Sequence, residues 1–164
     1  MEVVAVRVVF DCMIFVQGAM KSTGPAAACL HLAEAGRAIL LISPSILEEL
    51  RDVLSREELR RKSPNLTNEN VERFLARVRS FSELQPEPPA SFKLPRDPKD
   101  EPYLNLAIAG GARCLASWND RHLNYLMRGD TPEGIDFCAR YPSLRIMTPV
   151  ELLELLRAAT GHKE

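Results

Sequence analysis

The stretch Ala38-Ile39-Leu40-Leu41-Ile42-Ser43-Pro44-Ser45-Ile46-Leu47-Glu48-Glu49-Leu50-Arg51-Asp52-Val53-Leu54 changes its hydrophobic period once, and that change decides the fold. Ala38 to Ile42 is a short unbroken apolar run, the pattern of a buried strand. Ser43-Pro44 then supplies a helix N-cap followed by proline at the first helical position. Beyond it Ile46, Leu47, Leu50, Val53 and Leu54 recur at helical spacing. A buried strand that passes directly into an amphipathic helix is the building unit of an α/β sheet.

The same alternation extends in both directions. Val4 to Phe10 is β-branched and strand-like. Gly24-Pro25 opens an Ala/Leu helix that runs to about Ala35, with Gly36 as its stop. A short basic helix is expected over Arg56 to Lys62. Ser63-Pro64-Asn65 breaks the chain, and Thr67 or Asn68 caps a further helix that ends near Ser82. The proline-rich segment Gln85 to Pro98 reads as an extended connector inside the domain. Asp100 can cap a helix over Glu101 to Ala109, ended by Gly110-Gly111. Cys114 to Ser117 and Arg145 to Met147 are strand candidates. Thr148-Pro149-Val150-Glu151 is a capping box that opens a last helix to about Ala159. No internal repeat interrupts this order. It predicts one α/β domain over residues 1–164, with a parallel sheet and helices on both faces.

Composition narrows the function. The chain has 164 residues, 46% apolar and 26% charged, an ordinary globular balance. With 21 basic and 22 acidic residues the net charge is −1, so nucleic-acid binding has to come from a local patch. Cys12, Cys29, Cys114 and Cys138 form no C-x-x-C pair, and the histidines complete no zinc spacing. Reduced, buried thiols and a cytoplasmic location are expected. No apolar run is long enough for a membrane span.

In open parallel sheets ligands bind beyond the carboxyl ends of the strands. Asp11 directly follows the strand Val8-Val9-Phe10. Glu48 and Glu49 share the helix after Ser43; Glu48 lies opposite its apolar face, whereas Glu49 sits at the margin and can turn inward. Asp97 reads as a turn residue and Asp100 as an N-cap. Trp118-Asn119-Asp120-Arg121-His122 follows another strand end. Two carboxylates ~4 Å apart repel by about 4 kcal/mol at an effective dielectric of 20. Asp11, Glu49 and Asp100 brought into one cleft would therefore take up protons or bind a cation. An all-oxygen donor set selects Mg²⁺ or Mn²⁺ over zinc, and such an ion suits phosphodiester hydrolysis.

These residues resemble the PIN domain family of metal-dependent ribonucleases, and most closely its branch of toxins from type II toxin–antitoxin pairs. The resemblance runs from Val8 to Leu156. It is carried by Val8-Val9-Phe10-Asp11 with Ile14-Phe15-Val16, by Ser43 to Leu54, by Asp97-Pro98-Lys99-Asp100-Glu101-Pro102-Tyr103-Leu104-Asn105-Leu106-Ala107, by Ser117-Trp118-Asn119-Asp120, and by Ile146 to Leu153. It implies a three-layer α/β/α sandwich around a short parallel sheet, PIN-like and Rossmann-like. It also implies an RNA substrate, Mg²⁺ or Mn²⁺ as cofactor, an antitoxin partner, and a homodimer. The family's three core acids fall on Asp11, Glu49 and Asp100.

Three positions depart from the family pattern. Cys12 and Met13 stand where Thr or Ser and then Asn are usual, and Asn119 stands where a fourth acid is usual, with Asp120 adjacent. Asn119 or Asp120 is expected to assist the three acids. The departures also favour a rival reading, a weakened or inactive PIN-like module that binds RNA or a protein. Arg56, Arg60, Arg61, Arg96, Lys99 and Arg121 are candidate RNA contacts. Trp118 can stack on a base or pack at the core rim. A dinucleotide enzyme would need G-x-G-x-x-G after the first strand, and a haloacid-dehalogenase phosphatase would need Asp at the position of Met13; neither is present.

Overall fold

The apolar run that begins the chain becomes the centre of the sheet. In the computed structural model, which describes residues 5–160, β1 (Val6–Phe10) lies between β2 (Ala38–Ile42) and β4 (Cys114–Ala116). The edges are β3 (Ser82–Leu84) beside β2 and β5 (Arg145–Met147) beside β4, and every pairing is parallel. Val8, Val9 and Phe10 are buried on both faces, which is why the strand reads as continuous apolar sequence rather than as an alternation. Val4, expected at the start of this strand, lies outside the described residues.

The order β3-β2-β1-β4-β5 means that the chain first builds outward from β1 to β3, then crosses back to β4 on the other side. The first crossovers use α1 (Cys12–Met20), α2 (Pro25–Glu34), α3 (Pro44–Leu54), α4 (Glu57–Lys62) and α5 (Asn68–Phe81). Among these, α2 packs on α1 and α3 packs on both α1 and α5. The return crossover uses α6 (Glu101–Ala109), which packs along β1, β2 and β4. Right-handed connections running in opposite directions put their helices on opposite faces. The reversal leaves a crevice between the carboxyl ends of β1 and β4.

The N-caps read from the sequence form as expected. Ser43 Oγ accepts from Ile46 N at 3.3 Å, and Thr67 Oγ1 accepts from Asn70 N at 3.2 Å. Thr148 and Glu151 close a reciprocal capping box, each side chain accepting from the other's backbone N–H at 3.2 Å, ahead of α8 (Pro149–Thr160). Two helices and one strand were not anticipated. Cys12–Met20 is so uniformly apolar at Ile14-Phe15-Val16 that it shows no helical period, yet it forms α1 with Asp11 as its cap. Thr131-Pro132 starts α7 (Pro132–Arg140) by the same cap-plus-proline device as Ser43-Pro44, inside a stretch whose Gly129 and Gly134 look like loop. β3 is three exposed or half-buried residues at the sheet edge, too short to show a period.

The proline-rich connector is a strap tied down by one buried amide. Asn105, on α6 and 4% exposed, accepts through Oδ1 from the backbone N–H of Ser91 (3.1 Å) and Phe92 (2.9 Å), and donates through Nδ2 to Phe92 O (3.2 Å). Glu101 Oε1 accepts from Leu94 N at 2.9 Å, while Phe92 and Leu94 are buried beneath the strap. This fixed strap delivers Asp97 and Asp100 to the crevice. Asn105→Ala strands buried backbone groups of the strap and is expected to cost about 2–4 kcal/mol. Urea unfolding should show the midpoint lowered with the slope unchanged; an unchanged midpoint would mean that the strap is held by its apolar residues alone.

Candidate functional site

Asp11 ends the central strand and caps the next helix. Its backbone N–H donates to Ala116 O on β4 at 3.1 Å, which holds it at the crevice, and its Oδ1 accepts from Ile14 N at 3.3 Å. It is 3% exposed. Burial pushes its carboxyl up from an ordinary 3.8 to about 6, and the charge of Asp100 adds to the rise. Hydrogen bonds from the Ser117 side chain and from the backbone of Ile14 and Met13 offset only part of it. Asp11, Cys12, Met13, Asp100, Trp118 and Asn119 together line a cleft of about 270 Å³.

The helical-angle argument that separated the two glutamates holds. Glu48 is exposed and pairs with Arg51. Glu49 is half-buried and accepts from the Tyr103 hydroxyl at 2.9 Å. Its charge reaches both Asp100 and Cys12, raising the pKa of each. Cys12 is half-buried and free, which corrects the expectation that every thiol is buried; Cys138 is half-buried as well. Burial, then Glu49, pushes the Cys12 thiol up to about 11, so it is protonated and is no nucleophile at neutral pH.

Asp100 ends a 3₁₀ turn, Pro98–Asp100, and its side chain caps nothing, so the sufficient structural role foreseen for it is not the one it has. Its pKa is raised, by burial first and then by Asp97, against the lowering effects of Asn119 and His122. Asn119 Nδ2 donates to Asp100 Oδ2 at 2.8 Å. Asp120 instead turns outward and accepts from Arg128 at 3.0 Å, so of the two residues expected to assist, only Asn119 faces the acids.

Among the described residues, Asp97, Asp100 and His122 offer ligand atoms that all lie within 4.8 Å of one another. His122 Nδ1 and Asp97 Oδ2 are 3.1 Å apart. Sequence reasoning gave Asp97 no more than a turn. The available signal was Asp97-Pro98-Lys99-Asp100 itself: in a 3₁₀ turn residues i and i+3 eclipse, which stacks the two carboxylates. His122 was legible as a residue beside the cleft, after the strand end at Ser117, but no spacing tied it to Asp97. Tyr103, the partner of Glu49, was hidden inside an apolar helix.

The basic candidates divide by their partners. Arg56 pairs with Asp52, Arg61 with Glu57, and Arg60 donates to Asn68. The charge of Arg56 still reaches Cys12 at the cleft. Arg96 lies over the Tyr125 ring, 4.0 Å from its centroid, and donates to the backbone oxygen of Arg121. Lys99 and Arg121 are exposed, and among the described residues their side chains have no hydrogen-bond or ion-pair partner.

A family model for the PIN domain matches residues 7–121. The chain belongs to the PIN domain family. PIN domains are usually nucleases that act on RNA, and they generally use divalent metals. In this PIN domain the matched span holds Asp11, Asp100 and Asn119, which line the cleft, with Glu49 on α3 and Asp97 before the 3₁₀ turn. No curated protein and no solved structure matches the chain. No helix among the described residues is long and apolar enough to cross a membrane.

The raised carboxyl of Asp11 has a measurable consequence. A group whose folded pKa is raised contributes stability that is complete below its unfolded pKa, here 3.8, and is lost as pH rises through about 6. At ~1.4 kcal/mol per pKa unit the loss is about 3 kcal/mol at neutral pH. Asp11→Asn keeps the cap acceptor and removes the charge. In EDTA it is expected to stabilise the protein by roughly 2–3 kcal/mol at neutral pH and to change little below pH ~4. Denaturant unfolding at the two pH values checks this; a variant that is less stable than the parent at neutral pH would show that the buried charge is already compensated.

Proposed function

We propose that this single PIN domain is a divalent-metal-dependent endoribonuclease, with Asp11, Glu49 and Asp100 holding Mg²⁺ or Mn²⁺ directly or through water. The observation that carries the reading is the meeting of buried Asp11 with Asp100 in one cleft at the β1–β4 crevice. The donor set fits such an ion. The charge of Asp100 reaches Asp11 and that of Glu49 reaches Asp100, and among the described residues none of the three forms an ion pair with Lys or Arg. Hard cations are held by oxygen donors of this kind. When bound, the ion supplies a more acidic water and offsets charge on the phosphate undergoing attack.

The chain's own residues orient the acids. Tyr103 fixes Glu49, Asn119 fixes Asp100, and Ser117 Oγ accepts from Asn119 N at 2.9 Å, locking the loop that carries the amide. Lys99 and Arg121, on the loops flanking the cleft, are placed in sequence to meet phosphates, with Arg56, Arg60, Arg61 and Arg96 adding weaker, partly paired charge. The resemblance to the toxin branch supports a role as the toxin of a toxin–antitoxin pair, with a small antitoxin covering the cleft, a second copy as dimer partner, and a cytoplasmic site of action.

A specific observation favours a second reading. Asn119 donates a hydrogen bond where a fourth acid would add charge. A site one charge short suits a weakened or inactive module that binds RNA or a protein. The two readings separate on one series of variants. Asn119→Asp adds a carboxylate beside Asp100 and is expected to tighten Mn²⁺ roughly tenfold and to raise RNA cleavage. Asp100→Asn is expected to abolish both. Calorimetric Mn²⁺ titration and a labelled-RNA assay measure this. An Asp100→Asn protein that binds the ion and cuts like the parent contradicts the nuclease site; a parent that binds RNA without cutting it in Mg²⁺ or Mn²⁺ selects the second reading.

A further inference from the structure

Among the described residues five large hydrophobic side chains are exposed, and two of them, Met13 (50%) and Trp118 (39%), line the acidic cleft. Neither belongs to the hydrophobic core or to the side chains packed against it. The core-rim role open to Trp118 from sequence is therefore not the one it fills.

The indole is held in place. Trp118 Nε1 donates to Gln17 Oε1 at 2.8 Å. Gln17 and Met13 are four residues apart on α1 and both exposed, so they share one face of that helix. The bond thus anchors the ring against the face that also carries Met13, and an aromatic wall stands beside Asp11, Asp100 and Asn119. The neighbouring acids repel a phosphodiester backbone. Affinity there has to come from a cation and from an uncharged part of the substrate.

We propose that Trp118 and Met13 form a nucleobase subsite next to the acids, so that the cleft accepts a single-stranded segment with an unstacked base. The proposal rests on the nuclease reading of those acids. Every base has a π-face, so stacking on Trp118 holds the strand without selecting sequence. The thioether of Met13 adds a polarizable contact that adapts to the base. A base paired within a duplex keeps its faces stacked on its neighbours and offers none to the indole. Gln17 is a positioning residue that keeps the ring upright.

Trp118 is the single tryptophan of the chain, so its emission reports this subsite alone. The experiment titrates the full chain, in Ca²⁺, with a short single-stranded RNA, the same strand carrying an abasic position in place of each base in turn, and a duplex of equal length. The single strand is expected to quench the emission. One abasic position should weaken binding by roughly 5- to 100-fold, the loss of one stacked base, and the duplex should leave the emission unchanged. In Mn²⁺, Trp118→Ala should raise KM for labelled single-stranded RNA more than it lowers kcat, and Trp118→Phe should restore KM. The proposal is overturned if the single strand fails to quench, if no abasic position weakens binding, or if the parent cleaves and Trp118→Ala leaves KM unchanged. A parent that shows the quench and the abasic effect but never cleaves overturns the nuclease reading and leaves the base subsite standing.

Discussion

A carboxylate buried at the end of the central strand sets the terms for the rest of the molecule. Asp11 is placed there by the β1–β4 ladder, and one of its oxygens is committed to capping α1. It meets no Lys or Arg among the described residues, while Asp100 shares its cleft. Burying such a group is unfavourable unless it is protonated or paired with a positive charge. Its shift to about 6 expresses that tension in the protein alone. A divalent cation held there would resolve it and leave the carboxylate ionised.

The fold brings the remaining acids to this point by separate routes. Glu49 comes from the inward margin of α3, whose apolar face lies buried through Ile46, Leu50 and Leu54. Asp100 comes from the strap, which Asn105 and Glu101 tie to α6 before the 3₁₀ turn releases it into the crevice. Asn119 comes from the loop after β4. Each element owes its place to core packing or buried hydrogen bonds, so the acids converge without attracting one another. Mutual repulsion within a rigid scaffold is the arrangement that the proposed ion would offset.

Much of this was legible in the residues. Ala38–Ile42 and Pro44–Leu54 declare their periods plainly, and helical angle alone separated Glu49 from Glu48. The device at Thr148-Pro149 was readable down to the capping partner. What stayed hidden has physical reasons. Cys12–Met20 has a single polar side chain, Gln17, and an apolar Met13 on its exposed face, so it carries no stripe. Asp97 and His122 meet through a turn and a loop, whose geometry leaves no periodic trace. The direction of Asp120 depended on Arg128, a residue eight positions on, and that pairing is fixed only by the short 3₁₀ segment Asn124–Arg128.

Two candidate cation positions share Asp100, and one measurement separates them. Asp11, Glu49 and Asp100 form the site proposed for catalysis, while Asp97, Asp100 and His122 form the tighter cluster of ligand atoms. Crystals soaked in Mn²⁺ and measured at the manganese absorption edge would show the ion directly. The account predicts an anomalous peak among the carboxylates of Asp11, Glu49 and Asp100. A peak confined to Asp97, Asp100 and His122, or no peak at saturating Mn²⁺, would contradict it.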